Sequence, residues 1–228
     1  MKRTPTSAPP RIFLLSPASS HGERARLVFR PEAQFPLALA LRTPEGAPLG
    51  EVFTFLSGLY FRGKLGYARA FARPPAGVPG VVVITTSEGL VSPESPVTLE
   101  RLGRWAAVPI DAGEARYHGP LRRDAELIDA AAGPRCEVVL LGSIASGKYA
   151  DVLLKVFGER LLFPSAFVGR GDMSRGGLML RCTDSGKELD YVPVATSVRH
   201  GARPPRLQPR RRPRPLSLIH ISEPTRPY

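Results

Sequence analysis

The octapeptide Gly142-Ser143-Ile144-Ala145-Ser146-Gly147-Lys148-Tyr149 follows an apolar run and precedes a segment with helical period. GxxxxGK between a strand and a helix is the spacing of a phosphate-cradling turn. Its glycines let backbone N–H groups approach an anion, and the helix N-terminus faces the same point. Gly142, Ser143, Gly147, Lys148 and Tyr149 are therefore candidate ligand-binding residues. Tyr149 stands where a Ser or Thr hydroxyl would ligate magnesium, and no apolar run ending in Asp offers a second magnesium ligand. Triphosphate hydrolysis is disfavoured; a looser anion site or an ordinary strand-to-helix turn accounts for the pattern.

A second group lies in the glycine-rich stretch 168–177, VGRGDMSRGG. Arg170 and Arg175 have the geometry to pair with phosphate or carboxylate, and Asp172 can accept a proton or hydrogen bond. The alternative is a solvated loop in which Asp172 caps the next helix.

The third group sits where strands should end. Ser16, Ser20 and His21 follow one apolar run; Thr86, Ser87 and Glu88 follow another. In a parallel sheet such loops converge, which makes Ser16 and Ser87 candidate ligand contacts and Glu88 a candidate acid or base, with His21 its partner. Tyr60, Arg62 and Lys64 form an aromatic-basic cluster suited to stacking a base, although Tyr60 falls on an apolar face and core packing explains it as well. The four histidines are scattered and far from Cys136 and Cys182, and no GxSxG or strand-linked GxGxxG occurs. No metal or cofactor is expected from these spacings. The cysteines read as reduced, buried thiols.

The elements that must position these groups alternate. Residues 11–16, 81–85, 137–141 and 161–163 are short apolar runs that read as strands, with 108–110 a further short strand and 189–194 a late edge strand. Ser20 is placed to cap a helix carrying Arg24, Leu27 and Val28. Residues 51–72 carry the helical period, with Phe55, Leu59, Arg62, Gly66 and Ala70 on one face and a break marked near Gly63. Helices are also expected over 98–105, 121–132 and 149–157. Strands alternating with helices predict an α/β fold: one three-layer α/β/α sandwich over residues 1–198 with a mostly parallel sheet, whose ligands bind beyond the carboxyl ends of the strands.

Of the net charge of +12, seven units are arginines between Arg199 and Arg214, where no acid occurs; setting them aside leaves +5 for residues 1–198. Residues 199–215 thus form a basic Pro/Arg-rich tail able to grip polyanions by counterion release. No apolar run approaches the ~18 residues of a membrane span, and the N-terminal apolar run is too short for a signal-peptide core, so a cytoplasmic protein is expected.

Residues 216–226, LSLIHISEPTR, resemble the conceptual translation of a transposon-end sequencing adapter, so 216–228 is set apart from the fold as a read-through. Over residues 10–180 the chain resembles uncharacterised α/β domains related to the uracil-DNA-glycosylase-like domain of archaeosine synthase. The residues that carry this are Leu15-Ser16-Pro17; Ser57, Leu59, Tyr60 and Phe61; the run from Thr85 to Val91; Arg116-Tyr117 with Pro120-Leu121; and the strand entering Gly142 with Lys148-Tyr149. The chain lacks the GQDPYH-type and HPS-type motifs of active uracil-DNA glycosylases. The resemblance implies the three-layer sandwich and a nucleobase or nucleic-acid context.

The expected function is a nucleic-acid- or nucleotide-handling domain acting at an N-glycosidic bond. Ser16, Ser87, Glu88 and the 142–149 turn would line the cleft, and Arg170 and Arg175 would hold phosphate. A non-catalytic polyanion-binding module is the alternative, and a nucleotide-binding protein using the GxxxxGK turn is a further one.

Overall fold

A computed structural model describes residues 8–111 and 113–208 of the chain. In order, the elements are β1 (Arg11–Leu15), α1 (Glu23–Phe29), α2 (Pro36–Ala40), β2 (Ala47–Pro48), α3 (Leu49–Ser57), α4 (Leu59–Phe71), β3 (Val81–Ile84), β4 (Leu90–Val91) and β5 (Pro96–Val97). They continue with α5 (Leu99–Ala106), α6 (Ala115–Ala132), β6 (Glu137–Leu141), α7 (Ala150–Phe157), β7 (Leu161–Pro164), α8 (Asp172–Ser185) and β8 (Tyr191–Pro193).

Six strands form one sheet in the order β4-β3-β1-β6-β7-β8. Its centre is parallel, with Leu15 of β1 opposite Val83 of β3 and Leu141 of β6. The two edge strands, β4 and β8, run antiparallel. All five residues of β1 are buried, as a strand covered on both faces requires. The chain passes from β1 to β3 in one direction along the sheet and then returns past β1 to β6. Right-handed crossovers therefore place α4 on one face and α6 on the other. Helix α8 packs on α4 and α7 on α6, which completes the expected α/β sandwich.

Most strands and several helices fall where the apolar runs place them, but five details differ. The 51–72 segment breaks at Gly58 (φ 59°), not at Gly63. That break resets the helical phase, so α4 buries Tyr60, Lys64, Tyr67 and Ala68, while Arg62 and Ala70 of the expected face are exposed. Gly63 instead marks the crossing with α8. A Cβ there would stand 2.7 Å from the Gly176 carbonyl oxygen, and a Cβ at Gly176 would stand 2.6 Å from that of Leu59. Much of the expected 168–177 loop is the start of α8. Residues 108–110 form no strand, and α1 begins after Gly22 rather than being capped by Ser20.

The first residues of the basic tail lie against the body: Arg199 pairs with Asp151 at 2.7 Å, and Arg170 donates to the Pro205 carbonyl at 3.3 Å. The remainder of the tail and the adapter-like 216–228 fall outside the described residues. Within the described residues no helix is long and apolar enough to cross a membrane.

Candidate functional site

Strands β1 and β6 are neighbours whose outgoing connections leave in opposite directions along the sheet. Such a switch point leaves a crevice beyond the carboxyl ends of the two strands, because no crossover covers it. A cleft of about 750 Å³ lies there. Ser16 at the end of β1 and Ser143 after β6 form its centre. Tyr60 of α4, Lys148 and Tyr149 at the head of α7, and Asp172 of α8 contribute to its walls. His21, Thr86 and the 108–111 segment close it from the β3 side.

Lys64 lies beneath this cleft, 1% exposed. Its Nζ stands 2.6 Å from the carbonyl oxygen of Ser16 and 2.9 Å from Ser16 Oγ. The rings of Tyr60 and Phe61 flank it, with centroids 4.5 and 4.9 Å away. Burial pushes the lysine down to about 7; Asp172 partly offsets this by attraction, and Arg175 adds to it by repulsion. Helix α4 puts Lys64 there because Lys64 follows Tyr60 by one turn on the buried face.

Across Ser16 stands Tyr149. Its hydroxyl accepts the Ser143 backbone N–H at 2.8 Å, and the nearby Ser16 side chain favours its ionised form. Burial holds the phenol above its usual range. Gly142 permits this approach, since a Cβ there would stand 2.7 Å from Ser16 Cβ and 2.8 Å from the Tyr149 oxygen. One line of contacts thus runs from the Ser143 amide through Tyr149 and Ser16 to Lys64.

The GxxxxGK turn is not an open anion cradle. Its Ser143 amide is taken by Tyr149, the Asp151 carboxylate lies against Gly147, and Lys148 is exposed. Arg170 and Arg175 are turned to the protein. Arg170 donates to the Ala166 carbonyl at 2.9 Å, and Arg175 donates to the Phe167 carbonyl at 3.0 Å. Asp172, the first residue of α8, keeps a carboxylate at the cleft with 67% of its side chain exposed and Arg175 at 3.9 Å.

Of the residues singled out by type and spacing, the structure gathers Ser16, Ser143, Lys148, Tyr149 and Asp172 around one cleft. Gly142 lies directly behind Ser16 and Tyr149. Ser87, Glu88, Gly147, Arg170 and Arg175 are not among its lining residues. Glu88 accepts from Arg101 Nε at 2.9 Å, and Arg101 in turn covers Trp105. Sequence reasoning did not connect Lys64 to Ser16, or Asp111 to the cleft. The i, i+4 spacing of Tyr60 and Lys64 was the available signal, once the helix is phased from Gly58. Tyr60 adds a buried hydroxyl with no hydrogen-bond partner among the described residues.

No protein-family model matches this chain, and no match is found among curated proteins or solved structures.

Proposed function

We propose that the chain handles a nucleoside or nucleobase in the β1–β6 cleft and acts at the N-glycosidic bond. The observation that carries this reading is the cleft's composition at the switch point. Ser16, Ser57, Thr86 and Ser143 offer neutral hydrogen-bonding groups of the kind that read base edges. Asp111 and Asp172 oppose Lys148 in formal charge, so the walls suit a neutral, polar ligand better than a polyphosphate. The volume matches that of a small-molecule site. Asp172, one of two carboxylates in the cleft, would activate water or steady the positive charge that grows on the sugar as the base departs. The likeness to uracil-DNA-glycosylase-like domains supports the nucleobase context, while the chain lacks their GQDPYH-type and HPS-type motifs.

The full chain, incubated with ribonucleosides, deoxyribonucleosides, single-stranded DNA, duplex DNA and tRNA, should release free base from one class, read by chromatography. Asp172→Asn should abolish that release. Absence of both base release and binding across the panel would contradict the proposal. Binding of all polynucleotides alike, lost steeply with salt, would favour the basic tail as a polyanion grip.

A further inference from the structure

We infer that Ser16 is a covalent nucleophile with Lys64 as its general base, and that the cleft thereby transfers acyl groups from small esters to water. Three geometric facts carry this inference. Ser16 Oγ lies within 2.9 Å of Lys64 Nζ, and Ser16, 5% exposed, is among the residues that line the cleft. Among the described residues Lys64 makes no ion pair with a carboxylate; its hydrogen bonds there go to the two oxygens of Ser16. Tyr149 stands on the far side of Ser16, its oxygen already fixed by the Ser143 amide.

A buried amine of this kind is suited to be neutral. The groups that face it are Ser16 just after β1, Tyr60 and Phe61 from its own helix, and Asp172 and Arg175 from α8. Arg175 and desolvation oppose its charge, and Asp172 favours it. As a neutral amine, Lys64 donates one N–H to the Ser16 carbonyl and turns its lone pair to the Ser16 hydroxyl proton. Tyr149 is then free to donate toward Ser16 or toward a bound carbonyl oxygen. A desolvated lysine beside a serine is an established way to raise the nucleophilicity of a hydroxyl.

Lys64 takes the Ser16 proton as Oγ bonds to the ester carbonyl carbon. The tetrahedral oxyanion, held by the Tyr149 hydroxyl, collapses with loss of the alcohol, which leaves with the proton from the Lys64 ammonium. Water then attacks the acyl-serine, giving its proton to Lys64. The carboxylic acid departs as Ser16 Oγ recovers that proton. Net, one ester and one water become one acid and one alcohol. This inference is independent of what base or sugar the cleft accepts.

The test is covalent labelling of the full chain with a fluorophosphonate and with p-nitrophenyl acetate, read by intact mass and peptide mapping. The expected result is one adduct on Ser16, absent from Ser16→Ala. Its rate should rise with pH through a midpoint near 7. Lys64→Arg keeps a cation in place and should lower labelling at least a hundredfold; Tyr149→Phe should lower it about tenfold. No adduct, an adduct elsewhere, or a Ser16 rate unchanged in Lys64→Arg would overturn the inference. Because Lys64 variants can fail to fold, the pH profile of the unaltered chain serves as an independent reading. A rate that climbs without a midpoint up to pH 10 overturns Lys64 as the base. Base release from nucleosides is a separate measurement, so either proposal can fail alone.

Discussion

Lys64 Nζ and Ser16 Oγ are 2.9 Å apart although 48 residues separate them in sequence. The pair exists because α4 crosses behind the end of β1 and turns its buried face toward Ser16. That one contact links the sheet's switch point to the helix that crosses α8, and through α8 to Asp172. Several measurable consequences follow from the arrangement.

The contribution of Lys64 to folding stability should rise with pH between about 7 and 10.5, while the buried tyrosines and cysteines, whose pKa values burial raises, oppose it above pH 9. Lys64 is held at about 7 in the folded chain by burial, against an ordinary value of 10.5. Across that window the unfolded chain binds more protons at this group, so its contribution increases as pH rises and is lowest below 7. The full effect is at most about 4–5 kcal/mol. Denaturant midpoints of the unaltered chain and of Lys64→Met at pH 6.5 and 8, below the range where the cysteines and tyrosines ionise, measure the lower part of it. Lys64→Met should flatten the difference; an equally steep profile in that variant would contradict the buried, depressed lysine.

The glycine pair at the α4–α8 crossing should be intolerant of any side chain. Gly63→Ala and Gly176→Ala each drive a methyl into backbone oxygen at under 3 Å, which no rotamer change relieves. Each should cost about 2–4 kcal/mol in chemical denaturation. Because α8 must move away, ligand binding through Asp172 should weaken in both. Gly66→Ala, with open space except for a Leu180 methyl at 3.9 Å, is the matched control and should be neutral or slightly stabilising.

Glu88 stands outside the cleft. Its carboxylate accepts from Arg101, and the pair is part-exposed at 31% and 22%. Glu88→Ala should therefore cost no more than about 1 kcal/mol. It should leave base release within twofold of the unaltered chain. A loss of release with the melting temperature unchanged would restore Glu88 to the chemistry.

The core strands were legible because each is an apolar run bounded by a breaker: β1 by Pro17, β3 by Gly80 and β6 by Gly142. The site was legible in half. Ser16, Ser143, Lys148 and Tyr149 follow strands whose ends the pattern marks, so their convergence follows from a parallel sheet. Lys64 reads only as a member of an aromatic-basic cluster with Tyr60 and Arg62 when the 51–72 segment is phased as one helix from Phe55. Gly58 interrupts it, and only the phase after that interruption brings Lys64 inward. Arg170 and Arg175 were legible as cations but not as ligands of their own backbone, since side-chain direction depends on where α8 begins. Glu88 was placed correctly at a strand exit, yet its partner Arg101 lies on α5, and nothing local announces that pairing.

The filled GxxxxGK turn gives a further expectation. Lys148→Ala should leave the affinity for nucleoside triphosphates, measured by calorimetry, unchanged, because the turn's Ser143 amide is engaged by Tyr149. A fall of tenfold or more would mean that the turn opens to hold phosphate.

The most direct test of the cleft as the working site is free-base release by the full chain and by Asp172→Asn, assayed side by side against nucleosides and polynucleotides. The account predicts release from at least one substrate class and its loss in the variant, with the melting temperature preserved. Release that persists in Asp172→Asn, or no release from any substrate, would contradict it.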